Sequence, residues 1–268
     1  MPSRIVQKVI TIIFILQMII PVIGLVVFSI DNEGLFNVSS YAMLFTDPTF
    51  QMALVRSVVI SLISVALSVM LLTPPIWYGF LYGNRLLRIM EALGFLTFIM
   101  PAVVLGLAYV QFFSNPPFAL AGTPILLPFA FTLFGMPYYI QAVLNRLRHA
   151  DAKVYHDVAR SLGSSNLHSL MKVQIPLMSP GILIGAVLVF SIGMGEFTIT
   201  QLTTGGSYMT LPIYLQVDFQ NDPLTGAAMA VIALVIAMIG VFLALGSFSV
   251  KKRRGLPRVE HRTSEQAL

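Results

Sequence analysis

The sequence predicts an all-α polytopic membrane protein of six transmembrane helices, and three observations carry that expectation. Of 268 residues, 57% are hydrophobic and only 10% charged, with a mean hydropathy of +0.86, far from the balance of a soluble domain. Six runs come close to the roughly 20 apolar residues a crossing needs: 9–30, 57–81, 92–113, 125–141, 181–204 and 225–250. None alternates with a period of two, so these are helices that satisfy their own backbone groups rather than barrel strands.

The first run follows Arg4 and Lys8. It is long for a signal-peptide core and lacks a small-residue cleavage site, so it reads as a retained span. Between the runs, segments 31–54, 114–124 and 205–224 are each too short to build a core. Tight capture of a dilute external solute therefore calls for another protein. Segment 82–90 is brief, whereas 142–180 is a substantial polar element, and the tail at 251–268 reads as disordered. No internal repeat is visible, so residues 1–268 form a single transmembrane domain. Pro21, Pro101, Pro128 and Pro137 lie inside runs, where each removes a backbone donor and kinks its helix.

Placing the N-terminus in the cytoplasm leaves 15 of the 16 Lys and Arg residues inside and only Arg56 outside. This asymmetry predicts that both termini are cytoplasmic. The formal charge of +5 then follows from topology, with no nucleic-acid-binding motif beside it. Zero cysteines exclude disulfides and thiolate metal sites.

Within the long loop, Val154, Val158 and Leu162 recur every four residues, with Asp151 near the start, which predicts a short helix. Gly163 fits the position just past its end, where a left-handed backbone is easiest. Ser165 or Asn166 then caps a second short helix through Leu167, Leu170 and Met171, ended by Pro176 and Pro180. His149, His156 and His168 share no metal-ligand spacing and read as solvated. Tyr138-Tyr139 reads as an interfacial pair, and the 14 methionines as gap-filling apolar residues.

Asp157-Val158-Ala159-Arg160-Ser161-Leu162-Gly163, followed by Gln174-Ile175-Pro176-Leu177, resembles the loop of permease subunits of binding-protein-dependent ABC importers. Family loops begin Glu-Ala-Ala, so this one departs at Asp157 and Val158. Further pieces are similar: 101–108, 137–147, Gly195-Glu196-Phe197 and Thr210-Leu211-Pro212, so that about 55–250 is covered. The pieces most resemble the polyamine, ferric iron, phosphonate and oxyanion permeases.

The resemblance implies a type I ABC importer-like fold in the bacterial inner membrane. The loop, about 142–180, then forms coupling helices on a cytoplasmic ABC ATPase dimer, carried by Asp157, Val158, Ala159, Arg160, Ser161, Leu162, Gly163, Ile175 and Pro176. Further implied partners are a second permease subunit, identical or paralogous, and an extracytoplasmic solute-binding protein. The chain contains no Gly-x4-Gly-Lys-Ser/Thr pattern, so ATP and Mg belong to the partner ATPase, and this subunit itself is neither an enzyme nor a cofactor binder. Asp157 is expected to orient the loop through a charge-assisted bond or a capping role.

Glu196 is the one carboxylate in the six runs. It falls about 22 Å along a fifth span that starts near Gly181 and rises about 1.5 Å per residue. An ionisable group at that depth faces the bundle interior, pairs, or lines an aqueous path. Glu196, Gly193 and Gly195 are therefore candidates for the path or its gate, with a neutral structural Glu196 as the alternative. Gly181, Gly185 and Ala186 predict tight packing in the same span.

The resemblance implies a small polar solute such as a polyamine, aminoethylphosphonate or ferric iron. Asp31, Glu33, Asp47, Asp218 and Asp222 against the single Arg56 outside lean toward a cation or zwitterion. Alternatives are an oxyanion of the sulfate or molybdate kind, or a secondary transporter, which leaves the elaborate loop unexplained. An intramembrane enzyme is disfavoured because the runs hold no His and no Asp.

Overall fold

The protein, as a computed structural model, is described at residues 4–32, 35–36, 38–83 and 85–253. It is helical almost throughout: α1 Arg4–Ile30, α2 Ser39–Thr46, α3 Pro48–Tyr82, α4 Arg85–Ile99, α5 Ala102–Phe113 and α6 Leu126–His149 come first. There follow α7 Ala152–Ser161, α8 Asn166–Ser169, a π-helical turn Leu170–Gln174, α9 Ile175–Gly195, α10 Thr198–Thr204, α11 Leu211–Asn221 and α12 Pro223–Arg253. After α1, β1 (Asp31–Asn32) and β2 (Leu35–Phe36) pair antiparallel, Asp31 opposite Phe36. The expected disordered tail lies outside the described residues from 254 onward, and α12 continues through 251–253.

Five helices are long and apolar enough to cross a membrane alone, and α4 with α5, taken together as one bent span, makes six. α3 starts nine residues before the run expected at 57, because Asp47 accepts the Thr49 amide at 2.8 Å as an N-cap and Pro48 follows in the first turn. α1 lies exposed along its length and packs mainly on α12.

Two of the six expected spans are not single helices. The third, expected over 92–113, is two helices meeting at 109°. Pro101 sits at the corner with ψ 142, outside helical geometry, and its carbonyl starts α5 by accepting from Val104 and Leu105. The fifth, expected over 181–204, stops at Gly195, turns through an extended Glu196 (ψ 105) and restarts as α10. At its other end Pro176 and Pro180 do not stop the preceding helix, since α8, the π turn and α9, with Pro176 in its first turn, run on as one rod from Asn166 to Gly195. The π turn shifts the hydrogen-bond register just ahead of Pro176, whose ring would clash with an α-helical carbonyl.

The centre of the bundle is α3, α6 and α9, which approach closely because small residues meet there. A side chain at Gly185 would stand 2.7 Å from the Tyr139 ring, and one at Gly181 2.7 Å from the Ala142 carbonyl oxygen. From α6 the exchange is returned, with Gly135 seating Val189. α3 presents the buried serines Ser57, Ser61, Ser64 and Ser68 on one helical face. Ser57 accepts the Leu211 amide at 2.8 Å, and Thr132 donates to the Ser64 carbonyl at 3.2 Å. Tyr139 is fully buried and shares a 2.6 Å hydrogen bond with Thr73. It is therefore a core residue and not half of an interfacial pair, because neighbours on a helix point about 100° apart and only Tyr138 faces outward. The two broken segments also pair: α10 lies across α5, where a Cβ at Gly106 would meet Leu202 at 2.8 Å.

Candidate functional site

The α6–α9 connection folds into a rigid bracket. α6 ends at His149, and Asp151 takes a left-handed conformation (φ 46), which Asp tolerates better than most residues, to turn the chain into α7. Ala152, His156 and Ala159 form the buried face of α7. At its C-terminus the Gly163 amide donates to Arg160 O and the Ser164 amide to Ala159 O, both at 3.0 Å, with Gly163 at φ 83. This pair of bonds around a left-handed glycine is a Schellman cap. Arg160 Nη1 donates to the Ser164 carbonyl at 2.5 Å and closes the turn from the side. Ser165 caps α8 by accepting the His168 amide at 3.2 Å, so of the two expected caps it is Ser165 that acts.

The outer face of α7 is unusual for a polar connection. Val154 is 60% exposed, Val158 53% and Leu162 82%, and they stand one turn apart along a single stripe. Leu167 and Met171 beyond the turn are exposed as well. Asp157 sits beside the stripe, and its backbone carbonyl accepts from Ser161 Oγ at 3.0 Å. Among the described residues its carboxylate has no partner within the chain, so neither a capping bond nor an internal ion pair engages it. Ile175 and Pro176 start α9, half-buried and exposed respectively.

His156, expected to be solvated, is 4% exposed. Its Nδ1 lies 3.0 Å from Ser169 Oγ and its Nε2 3.4 Å from the Tyr82 hydroxyl, while the rings of Trp77 and Tyr82 meet it edge-on. The four-residue rhythm that exposes Val154 and Val158 turns His156 inward, where Trp77 and Tyr82 at the end of α3 and Ser169 on α8 meet it. His149 and His168 are exposed. Gln174, fully buried in the π turn, donates to the Ala152 carbonyl at 2.9 Å. Arg146 Nε donates to the Leu177 carbonyl at 2.9 Å. Among the described residues, no group of His, Cys, Asp and Glu is arranged to hold a metal ion.

Glu196 lies at the opposite end of α9 and not partway along an unbroken helix. Its Oε1 accepts the Ile199 amide at 2.9 Å, and its carbonyl accepts from Thr200 Oγ1, so the residue ends α9 and caps α10. It is half-buried, beside the exposed Gly195, at which an added Cβ would meet nothing. Gly193 is a close-approach position: a Cβ there would stand 2.5 Å from Ser61 Oγ. Arg56 stacks 4.7 Å over the Tyr208 ring, and Asp47 at the head of α3 accepts from the Tyr214 hydroxyl. That bond holds the Asp47 carboxyl below its ordinary range, whereas burial, with Asp222 and Asp47 near, raises Asp218.

One feature had no signal in the apolar runs. A cavity of about 420 Å³ opens between α4, α6 and α9, mostly apolar, with Glu91, Tyr138, Gln141 and Asn145 as its polar side chains. Glu91 forms a 3.7 Å ion pair with Arg148. It precedes the third apolar run by one residue, and Gln141 and Asn145 share a helical face that only packing turns toward α4.

A six-crossing bundle with two broken spans and a capped, apolar-faced helical bracket defines a membrane permease. The chain belongs to the family of binding-protein-dependent transport system inner membrane components, whose model matches residues 72–251. It is 30% identical over 218 residues to the molybdenum transport system permease protein ModB of Mycobacterium tuberculosis, covering 76% of this chain and 81% of that one. It is 27% identical over 234 residues to the spermidine/putrescine transport system permease protein PotC of Haemophilus influenzae, covering 84% and 88%. In fold it is similar to a chain in the crystal structure of a bacterial ABC transporter involved in the import of the acidic polysaccharide alginate. That likeness has a TM-score of 0.61, 17% identity and coverage of 91% and 94%. The protein is thus a permease subunit of a binding-protein-dependent ABC importer, which sets aside the secondary-transporter alternative.

Proposed function

We propose that this permease passes a small polar solute from an extracytoplasmic binding protein to the cytoplasm, driven by an ABC ATPase dimer that docks on α7 and α8. The observation that carries the reading is the exposed stripe Val154, Val158 and Leu162 on a helix whose end is locked by Gly163. An apolar stripe on an otherwise charged loop is a buried surface awaiting a partner. The free Asp157 carboxylate beside it gives that partner an ion-pair or amide contact. ATP and Mg reside on the ATPase, and a second permease subunit completes the path. Both termini face the cytoplasm of a bacterial inner membrane, as the distribution of 15 of 16 basic residues supports.

Glu196, with Gly193 and Gly195, lines the path or its gate at the break between α9 and α10. The break favours this role, since irregular backbone at membrane depth is tolerated where it lines a cavity or is buried in protein. The preferred solute is a cation or zwitterion, such as a polyamine or aminoethylphosphonate, or ferric iron, on the strength of Asp47, Asp218 and Asp222 on the outer side. An oxyanion is the second reading, supported by the similarity to a molybdenum permease.

The chain has no cysteine, so Leu162→Cys is a single labelling site. It should cross-link to the co-expressed ATPase, and uptake in vesicles should require ATP and be blocked by vanadate. A label that remains freely reactive in the assembled complex refutes the docking. A thermal-shift screen of the cognate binding protein against spermidine, aminoethylphosphonate, ferric iron and molybdate decides the solute.

A further inference from the structure

Among the described residues, the hydrogen bonds and ring contacts between α7 and α3 all run through His156. The two ring nitrogens point to different elements, Nδ1 to Ser169 on α8 and Nε2 to Tyr82 at the end of α3. The Tyr82 hydroxyl donates to Asn166 Oδ1 at 3.5 Å, so in a neutral imidazole Nε2 donates to Tyr82 and Nδ1 accepts from Ser169. Trp77 and Tyr82, both on α3, lie nearly perpendicular to the ring at centroid separations of 6.1 Å. At the start of α7 Gln174 of the π turn donates to the Ala152 carbonyl. α7 is therefore pinned to the α8–α9 rod at two points, and to α3 at one.

We propose that His156 is the positioning residue that delivers movement of α7 to the crossing α3. The inference rests on the reading of α7 as the ATPase-docking helix. A leucine of similar size would fill the space but leave α7 free to slide against α3, since dispersion contacts are not directional. The hydrogen-bonded ring fixes distance and orientation together. α3 in turn carries the serine face packed against α9 and its Gly193, so a displacement at Tyr82 reaches the neighbourhood of the α9–α10 break along one continuous helix.

The test uses the complete transporter in proteoliposomes with its ATPase, second permease and loaded binding protein, and reads solute imported per ATP hydrolysed. His156→Leu and Tyr82→Phe are expected to keep the ATPase bound and hydrolysing while that ratio falls about fivefold or more. His156→Gln carries an amide nitrogen at about the reach of Nε2, so it keeps a polar group toward Tyr82 and should recover much of the ratio. A purely structural role predicts instead less assembled complex with an unchanged ratio, and that result overturns the proposal. Should His156→Leu not assemble, Tyr82→Phe keeps the packing and decides alone: a wild-type ratio overturns the proposal. A wild-type chain that binds no ATPase overturns the docking reading and this inference together, whereas wild-type coupling in the variants overturns the inference only.

Discussion

Replacing Gly163 by valine tests whether the bracket works through backbone geometry. Gly163 holds φ 83, and an added Cβ would meet nothing within 4 Å, so no steric clash in the fold accompanies the change. The cost is conformational, about 1–2 kcal/mol for an L-residue forced into the left-handed region. The alternative is to abandon the turn, which breaks the 3.0 Å bonds from Gly163 to Arg160 and from Ser164 to Ala159, each worth about 0.5–1.5 kcal/mol. The strain shifts the equilibrium between the docking-competent turn and its abandoned form by about 5–30-fold toward the latter. Gly163→Val should therefore lower both ATPase co-purification and ATP-dependent uptake in membrane vesicles. Gly163→Asn should retain most of both, because Asn visits the left-handed region readily. An asparagine variant as impaired as the valine variant would refute the backbone argument and point to a steric requirement of the partner. A valine variant with normal uptake would refute the role of the turn altogether.

Gly193→Ala places a Cβ 2.5 Å from Ser61 Oγ, and overpacking of this kind costs about 1–3 kcal/mol. The thermal unfolding midpoint in detergent should fall, and Ser61→Gly should recover part of the loss; additive losses would show that the two positions are not coupled. Glu196→Gln keeps an acceptor for the Ile199 amide and removes the charge, so uptake should drop while stability holds. Glu196→Ala loses the cap too, at about 1 kcal/mol. Unchanged uptake in the glutamine variant leaves Glu196 only its capping role. The Asp47 carboxyl is lowered chiefly by the Tyr214 hydroxyl, so its contribution to stability is present above the ordinary value of 3.8 and lost as pH falls through the lowered one. Tyr214→Phe should move that acid loss to higher pH in a stability-versus-pH series; an unmoved acid limb would show that the bond does not act on Asp47.

The number of crossings, the position of the bracket and its caps were legible in the sequence, because each depends on residues close together in the chain. Apolar run length counts spans, and Gly163 and Ser165 mark helix ends by conformations and bonds that reach only three to five residues. Family resemblance was legible for the same reason, since its pieces at 101–108, 137–147 and 157–177 are local and all fall within the matched 72–251. What hydropathy cannot encode is direction. Pro101 turns its chain through 109° whereas Pro21 and Pro137 stay inside continuous helices, and the difference lies in what stands opposite each one. The halt of α9 at Glu196, the seating of α10 on Gly106, the cavity edged by Glu91, Gln141 and Asn145, and the burial of His156 beneath Trp77 and Tyr82 were likewise decided by tertiary contact. Each joins residues tens of positions apart, so the free energy that selects them appears only when the helices have packed.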